Sequence, residues 1–131
     1  MWQRLLAVGL MGLAGYGVYQ LLNKENDEGT VFSSKDNLEV FNLKGTSKNK
    51  ATCCGSWIAH HKKHAPKSKN CCSVKGCSGV AEVGAHVQLE RKDNRWWIVP
   101  MCKGCNKRDD ETLELNKGVY LVSANISKTC G

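Results

Sequence analysis

The stretch of sequence that decides the fold is residues 72–105, which read CSVKGCSGVAEVGAHVQLERKDNRWWIVPMCKGC. A Cys-x4-Cys pair opens this stretch and a Cys-x2-Cys pair closes it, with twenty-four residues between the two pairs. Zinc prefers four soft ligands at tetrahedral corners, and a short turn can direct two sulfurs at one ion. The spacing therefore predicts one structural Zn²⁺ ion held by Cys72, Cys77, Cys102 and Cys105.

The residues between the two pairs predict a β-hairpin. Residues 83–89 and 96–99 are rich in β-prone side chains, and the polar residues 90–94 between them are typical of a turn. A glycine precedes Cys77 and another precedes Cys105, and glycine supplies the permissive backbone that tight turns favour. A hairpin of this kind would bring the two pairs together without a large hydrophobic core.

Two alternatives to zinc stay open at these positions. Eight cysteines are an even number, so a disulfide framework is the first alternative. The closing Cys-Lys-Gly-Cys pair also resembles a redox motif, although the βαβ context that usually accompanies such motifs is absent.

The other cysteines allow two interpretations. Cys53 or Cys54 could form a disulfide with Cys130 and tie the carboxyl end back to the start of the domain. Alternatively, a second metal site could be built from nearby cysteines and histidines. Adjacent cysteines do not readily bond to each other, so neighbouring sulfurs should have different destinations. The candidates for the disulfide or the second site are Cys53, Cys54, Cys71, Cys130, His60 and His64.

The amino-terminal residues 5–22, LLAVGLMGLAGYGVYQLL, are almost wholly apolar. A helix of this length would extend about 27 Å, which is close to the hydrocarbon thickness of a bilayer. We therefore predict a single-pass membrane anchor over residues 1–23, whose glycines would allow a membrane-protein partner to approach closely. A cleaved signal and a buried soluble helix are the alternatives, and the flanking charges favour a domain outside the cytoplasm.

The rest of the chain divides into a polar linker, residues 24–52, and a zinc-binding domain, residues 53–131. Within the linker, residues 38–41 alternate like a short strand. Residues 55–65 read as a short basic helix that ends before Pro66, and a short polar helix is expected from residue 107 to Glu111. Residues 112–115 and 119–123 read as two further strands around a turn.

The net charge of +7 is unevenly distributed, because residues 41–131 hold sixteen basic and seven acidic side chains. The segment from Lys44 to Lys75 contains eight lysines and no carboxylate, which predicts a positive field toward nucleic acid or an anionic membrane surface. A merely solvated face is the alternative. Two tryptophans beside an arginine could stack a base or simply pack in the core. The candidate binding residues are Lys62, Lys63, Lys67, Lys69, Arg95, Trp96 and Trp97, and no small-molecule substrate is inferred.

Three segments together resemble the zinc-containing HNH endonuclease family: CSVKGC at 72–77, VGAHV at 83–87 and WIVPMCKGCN at 97–106. The resemblance covers less than a third of the chain. It implies a small α+β fold in which a zinc-stapled hairpin and a short helix form a treble clef. The apolar residues 5–22 would place this fold behind a single amino-terminal transmembrane helix. The resemblance also implies that the four cysteines of the two pairs are the zinc ligands.

The same resemblance implies that His86 is a general base that activates water for attack on a phosphate. The alternatives are a structural histidine within an apolar strand and a zinc ligand in place of one cysteine. Ala85 and Asn106 depart from the family pattern, since they occupy positions where that family has ligands of a catalytic metal. A Mg²⁺ or Mn²⁺ ion would be needed only by a nuclease. We therefore expect a noncatalytic zinc-binding module that contacts nucleic acid, anionic lipid or a protein. A divergent HNH-type nuclease of an effector or phage, and a zinc-stapled subunit of a membrane complex, are the alternatives.

Overall fold

A computed structural model describes residues 30–43, 46, 50–91, 93–108 and 112–130 of the chain. The strands form one antiparallel sheet in the spatial order β1-β6-β4-β3-β2-β5. In chain order the elements are β1 (Val31–Ser33), β2 (Glu39–Asn42), α1 (Trp57–His64), β3 (Val83–Gln88), β4 (Trp97–Met101), α2 (Lys103–Asn106), β5 (Thr112–Glu114), β6 (Tyr120–Ser123) and α3 (Ile126–Thr129).

The centre of the sheet is the predicted hairpin of β3 and β4, in which Val83 pairs with Met101 and Val87 with Trp97. Side chains alternate between the two faces of a strand. Val87 and Trp97 therefore join the main hydrophobic core on one face. His86 pairs with Ile98 on the other face, which α1 covers.

Helix α1 is defined at both ends by local chemistry. The Ser56 side chain accepts a hydrogen bond from the Ala59 N–H at 3.1 Å, which caps the amino end. At the other end Ala65 has extended dihedrals, as expected of a residue before proline. The helix lies directly on β3 at Gly84, where an added Cβ would be only 2.5 Å from the backbone carbon of Trp57. Gly84 therefore sets the distance between α1 and the sheet.

The predicted treble clef is wrong, because the hairpin belongs to a curled six-stranded antiparallel sheet. Residues 31–42, part of the predicted polar linker, supply β1 and β2, and the short strand predicted at residues 38–41 corresponds to β2. Their strand pattern is short, but Leu38 and Val40 are buried and Glu39 is exposed, as alternation requires. The polar helix predicted after residue 106 also differs, since α2 spans Lys103–Asn106 and residues 109–111 lie outside the described part.

The prediction of a single-pass membrane anchor must also be corrected. Within the ranges described above, no helix is long and apolar enough to cross a membrane. The longest of them, α1, has eight residues and extends about 12 Å, whereas the hydrocarbon core of a bilayer is about 30 Å thick. The apolar residues 5–22 lie outside the described residues, so the membrane location is not supported and is not retained.

Candidate metal centres

The four cysteines predicted from the sequence come together at one point, and we call them the four-cysteine group. Their sulfur atoms all lie within 4.8 Å of one another. The Sγ atoms of Cys77 and Cys102 are 3.8 Å apart. A tetrahedral zinc ion with Zn–S bonds of about 2.3 Å would hold its sulfurs about 3.8 Å apart. The group therefore has the dimensions of a structural zinc site. Its members are Cys72, Cys77, Cys102 and Cys105.

Two tight turns aim these sulfurs at one another. In the first turn the Cys77 N–H donates to the Val74 carbonyl at 3.1 Å, and Gly76 between them has a φ of 84°. That left-handed dihedral is costly for other residues. In the second turn Cys102 caps α2, and its Sγ accepts a hydrogen bond from the Cys105 N–H at 3.4 Å. The sequence thus fixes each pair locally, and the β3–β4 hairpin brings the pairs together.

The thiols of this group differ in acidity. Burial raises the pKa of the Cys105 thiol to about 12 and also raises that of Cys72. In contrast, the backbone N–H of Cys105 stabilises the Cys102 thiolate and lowers its pKa to about 7. Zinc binds thiolates, so a zinc ion that enters the group must displace protons from Cys72 and Cys105.

A second set of ligands lies on the other side of the sheet, beside α1, and we call it the mixed group. The sulfurs of three cysteines and one ring nitrogen of a histidine lie within 4.8 Å of one another. The His60 Nδ1 atom is 3.6 to 3.7 Å from each of the three sulfurs. Tetrahedral zinc with usual Zn–S and Zn–N bonds would separate sulfur and nitrogen by about 3.6 Å. The members are Cys53, Cys54, His60 and Cys130.

His60 is held in the orientation that a metal ligand needs. Its Nε2 atom is 2.9 Å from the carbonyl oxygen of Ser123. A carbonyl can only accept, so Nε2 carries the proton and donates it, and Nδ1 presents its lone pair to the three sulfurs. Histidine ligands in metal sites typically donate their second ring N–H in this way. The ring is also completely buried, so its orientation is fixed by packing.

Cys53 is the member of the mixed group that fits metal binding least directly. Its Sγ atom is 2.9 Å from that of Cys54 and within bonding distance of that of Cys130. The Cys54 and Cys130 sulfurs are 3.8 Å apart, as zinc requires. The arrangement can therefore serve either as a Cys53–Cys130 disulfide or, after rotation of the exposed Cys53 side chain, as a complete ligand set.

Two of the predicted ligands take other positions. Cys71 is exposed and lies in neither group, and its backbone forms an isolated bridge with Val80. His64 lies outside the mixed group, although its Nε2 atom is 3.2 Å from the Cys130 sulfur. Sequence reasoning left the choice of His60 over His64 open, because only the Ser123 carbonyl on β6 selects the first.

The candidate binding residues do not all lie at the surface. Lys62, Lys63, Lys67 and Lys69 are exposed, whereas Trp97 is only 2 % exposed and contacts Phe32 in the core. Arg95 forms an ion pair with Asp93 at 3.2 Å. Trp96 is half-buried against the His86 ring, with the two ring centres 5.7 Å apart. Trp97 therefore belongs to the core, and the lysines together with Trp96 remain available for binding.

Two of these lysines, together with Lys117, border a cavity of about 420 Å³. Lys67 and Lys69 line it from the segment after α1, and Lys117 lines it from the turn between β5 and β6. His61 also lines it, and the His61 Nε2 atom is 2.7 Å from the Tyr120 carbonyl, so this histidine is structural. No carboxylate is among the lining side chains that the structure describes. The cavity thus offers a cationic surface.

His86, the predicted general base, lies in the middle of β3 and is 4 % exposed. Burial lowers its pKa to about 4, and the nearby His60 adds to this effect. The ring is therefore neutral at physiological pH. Among the residues that the structure describes, neither group of three or more potential metal ligands includes His86.

Comparison with known proteins does not assign the chain to a family. No protein-family model, curated protein or solved structure matches the chain.

Proposed function

We propose that this chain is a noncatalytic zinc-binding module that holds its fold with two zinc ions and binds nucleic acid through a lysine-rich face. The observation that carries the proposal is the pair of ligand groups, each with four donor atoms within 4.8 Å of one another. Thiolate and imidazole donors suit zinc, whereas magnesium and calcium prefer oxygen ligands.

The size of the fold supports a structural role for the metal. Small domains bury a smaller fraction of their surface than large ones, and metals or disulfides often supplement their thin cores. The two groups lie on opposite sides of the central hairpin. The four-cysteine group fixes the loop before β3 to the start of α2, and the mixed group fixes the loop before α1 to α3. Together the two groups would fix these irregular segments, which lie outside the strands, to the rest of the fold.

The lysine-rich face, defined as Lys62, Lys63, Lys67, Lys69 and Lys117, supports a polyanionic partner. All five side chains are exposed. Three of them border one cavity that no described carboxylate lines. A concentration of positive charge on one face attracts phosphates and makes affinity depend on salt.

What supports binding rather than cleavage is the environment of His86. A nuclease of this type needs a catalytic Mg²⁺ ion, which takes several oxygen ligands. Neither ligand group in the described ranges includes His86, and the rings beside it are those of Trp57 and Trp96, which offer no oxygen. Plasmid incubated with the protein and Mg²⁺ or Mn²⁺ should therefore stay intact. Nicking that is lost in His86→Ala would instead establish a nuclease.

Metal content and nucleic-acid binding test the proposal directly. Elemental analysis of protein purified under reducing conditions should find two zinc ions per chain, and a metal-free protein would overturn the structural part. Affinity for single-stranded DNA should fall steeply with salt, with a slope of about 0.7 for each phosphate contacted.

A matched pair of variants locates the binding face. Lys67→Ala with Lys69→Ala should lower the salt slope by about 1.4, because two phosphate contacts are lost. Lys103→Ala with Lys107→Ala removes the same charge from exposed positions outside the face and should leave the slope nearly unchanged. Equal effects of the two pairs would show that only net charge matters. Preferential binding to phosphatidylserine vesicles would assign the face to a membrane surface.

A further inference from the structure

A second cavity, of about 440 Å³, lies on the face of the sheet that α1 covers. Its walls include two indole rings, Trp57 from the start of α1 and Trp96 from the residue before β4. The His86 ring lies between them, with its centre 4.8 Å from the Trp57 ring and 5.7 Å from the Trp96 ring, both edge to face. Lys50 and Thr52 also line the cavity, and no described carboxylate does.

One polar atom in this wall has no partner. The His86 Nε2 atom is buried and forms no hydrogen bond with the described residues. A buried polar atom without a partner is costly and uncommon in folded proteins, so it calls for a specific reason. A ligand with a hydrogen-bonding edge would supply the missing partner after a small movement of the rings.

The chemistry of the walls identifies the kind of ligand. Aromatic faces bind planar rings, and a neutral imidazole can hydrogen-bond to the edge of a heterocycle. The Lys50 ammonium disfavours a cationic guest and suits a phosphate beside the ring. A planar heterocycle with a hydrogen-bonding edge and an attached phosphate is a nucleotide, and proteins that bind single strands stack bases on aromatic side chains in this manner.

The mixed group is placed to hold the walls of the cavity. Thr52 immediately precedes Cys53. Ala124 and Ile126, which also line the cavity, lie between Ser123 and Cys130. The Trp57 ring contacts the ligand His60, with ring centres 5.2 Å apart. The mixed group therefore connects the three chain segments that line the cavity: the one that ends at Thr52, the start of α1 and the one that contains Ala124 and Ile126.

We propose that this cavity, bordered by Trp57, His86 and Trp96, holds one unstacked nucleobase of a bound single strand and that zinc in the mixed group fixes its walls. The inference rests on the proposed nucleic-acid binding, which supplies the base. It assigns a base-recognition role to the face of the sheet opposite the main core, and the lysine-rich face supplies phosphate contacts.

Two oligonucleotides of equal length and charge distinguish base binding in the cavity from phosphate binding at the lysine-rich face. One is a single strand of thymidines, and the other carries abasic sites in place of the bases. Wild-type protein should bind the thymidine strand roughly tenfold more tightly, which is the usual contribution of one stacked base. Equal affinity for the two strands would overturn the pocket and leave the lysine-rich face standing. If neither strand binds, the proposed function and the pocket both fail.

Variants locate the effect. Trp96→Leu should reduce the preference for the thymidine strand to about one and leave the abasic affinity unchanged. Phe41→Leu alters a half-buried aromatic ring that does not line the cavity and should keep the preference. Cys54→Ser removes a ligand of the mixed group and should also abolish the preference. Retention of the preference in Cys54→Ser would overturn the role of the metal.

A measurement on the unaltered protein covers the case in which Trp96→Leu does not fold. On titration with thymidine 5′-monophosphate, the indole N–H resonances of Trp57 and Trp96 should shift in NMR spectra. The resonance of Trp97, which is buried in the core, should not. Shifts confined to lysine-rich segments, with both pocket indoles unchanged, would contradict the pocket.

Discussion

The four-cysteine group and the mixed group have similar dimensions, but the chain assembles them over different distances. In the first group two local turns are joined by one hairpin, and Cys77 and Cys102 are 25 residues apart. In the second group Cys54 meets Cys130 across 76 residues. Closing the longer loop costs more conformational entropy, so the second group depends more strongly on the sheet to bring α1 and β6 together.

Burial separates the two groups as well. Cys72 and Cys105 are buried and belong to the main hydrophobic core, whereas in the mixed group only His60 is buried, Cys53 is exposed, and Cys54 and Cys130 are half-buried. A ligand within the core cannot lose its metal without disturbing the packing around it, whereas a ligand at the surface can lose its metal with little change in packing. We infer that the four-cysteine group stabilises the whole fold and that the mixed group stabilises only the side of the sheet that α1 covers.

The largest expected effect tests the core position of the four-cysteine group. Cys72→Ser should remove one zinc ion and prevent stable folding, because structural zinc in small domains contributes on the order of 10 kcal/mol to folding. The neighbour Cys71 is exposed and lies in neither group, so Cys71→Ser should change the free energy of unfolding by no more than about 0.5 kcal/mol. Thermal unfolding followed by circular dichroism, with zinc analysis, measures both. Similar melting of the two variants would contradict the assignment.

A smaller effect is expected at the mixed group, where two substitutions distinguish zinc from a disulfide. If zinc is bound, Cys54→Ser and Cys130→Ser should each lower the free energy of unfolding by about 3 to 4 kcal/mol at zinc concentrations 100 to 1,000 times the dissociation constant. If a Cys53–Cys130 disulfide forms instead, Cys130→Ser should be destabilising and Cys54→Ser nearly neutral. Denaturant unfolding with and without reductant, alongside a free-thiol count, decides between them.

The acidity of the buried thiols sharpens the comparison further. Burial raises the pKa of Cys105 to about 12 and raises that of Cys72, so both are protonated in the metal-free state at neutral pH. Each must lose its proton when zinc binds. These two protons alone should make the apparent zinc affinity of the four-cysteine group rise by at least about 100-fold for each pH unit, and Cys102, with its pKa of about 7, should steepen the rise below pH 7. Competition with a chromophoric chelator between pH 6 and 8 measures this slope. A pH-independent affinity would show that these thiols are not ligands.

The same contrast explains what the sequence could predict. The four cysteines and the central hairpin could be read from spacing because turns and pairs of adjacent strands depend on nearby residues. The mixed group could be named only as a set of candidates. Its selection of His60 depends on a carbonyl of β6, and no local pattern records that contact.

The strands predicted at residues 38–41, 112–115 and 119–123 correspond to β2, β5 and β6, but β1 and the order of the strands in the sheet were missed. β1 has only three residues, which is too short for a clear alternating pattern amid polar neighbours. The places of β1 and β2 in the sheet are set by partners far along the chain, since Val31 pairs with Val122 and Val40 with Leu113. Long-range pairing of this kind overrides local composition, so a segment with the composition of a linker became part of the sheet.

The smallest expected effect concerns the contact that brings His60 to the mixed group. A methyl group at Gly84 would meet the Trp57 backbone at 2.5 Å, so Gly84→Ala should push α1 away from β3 and cost about 1 to 3 kcal/mol. Gly104→Ala is a control of the same size, because its Cβ would lie 3.9 Å from the Cys102 sulfur, an ordinary van der Waals contact. If α1 positions His60, Gly84→Ala should weaken zinc binding at the mixed group and leave the four-cysteine group fully loaded.

Cobalt substitution can report the two groups separately, since ligand sets with four sulfurs and with three sulfurs and one nitrogen absorb differently. Equal loss of cobalt from both would mean that α1 supports the whole fold and has no selective effect on the mixed group.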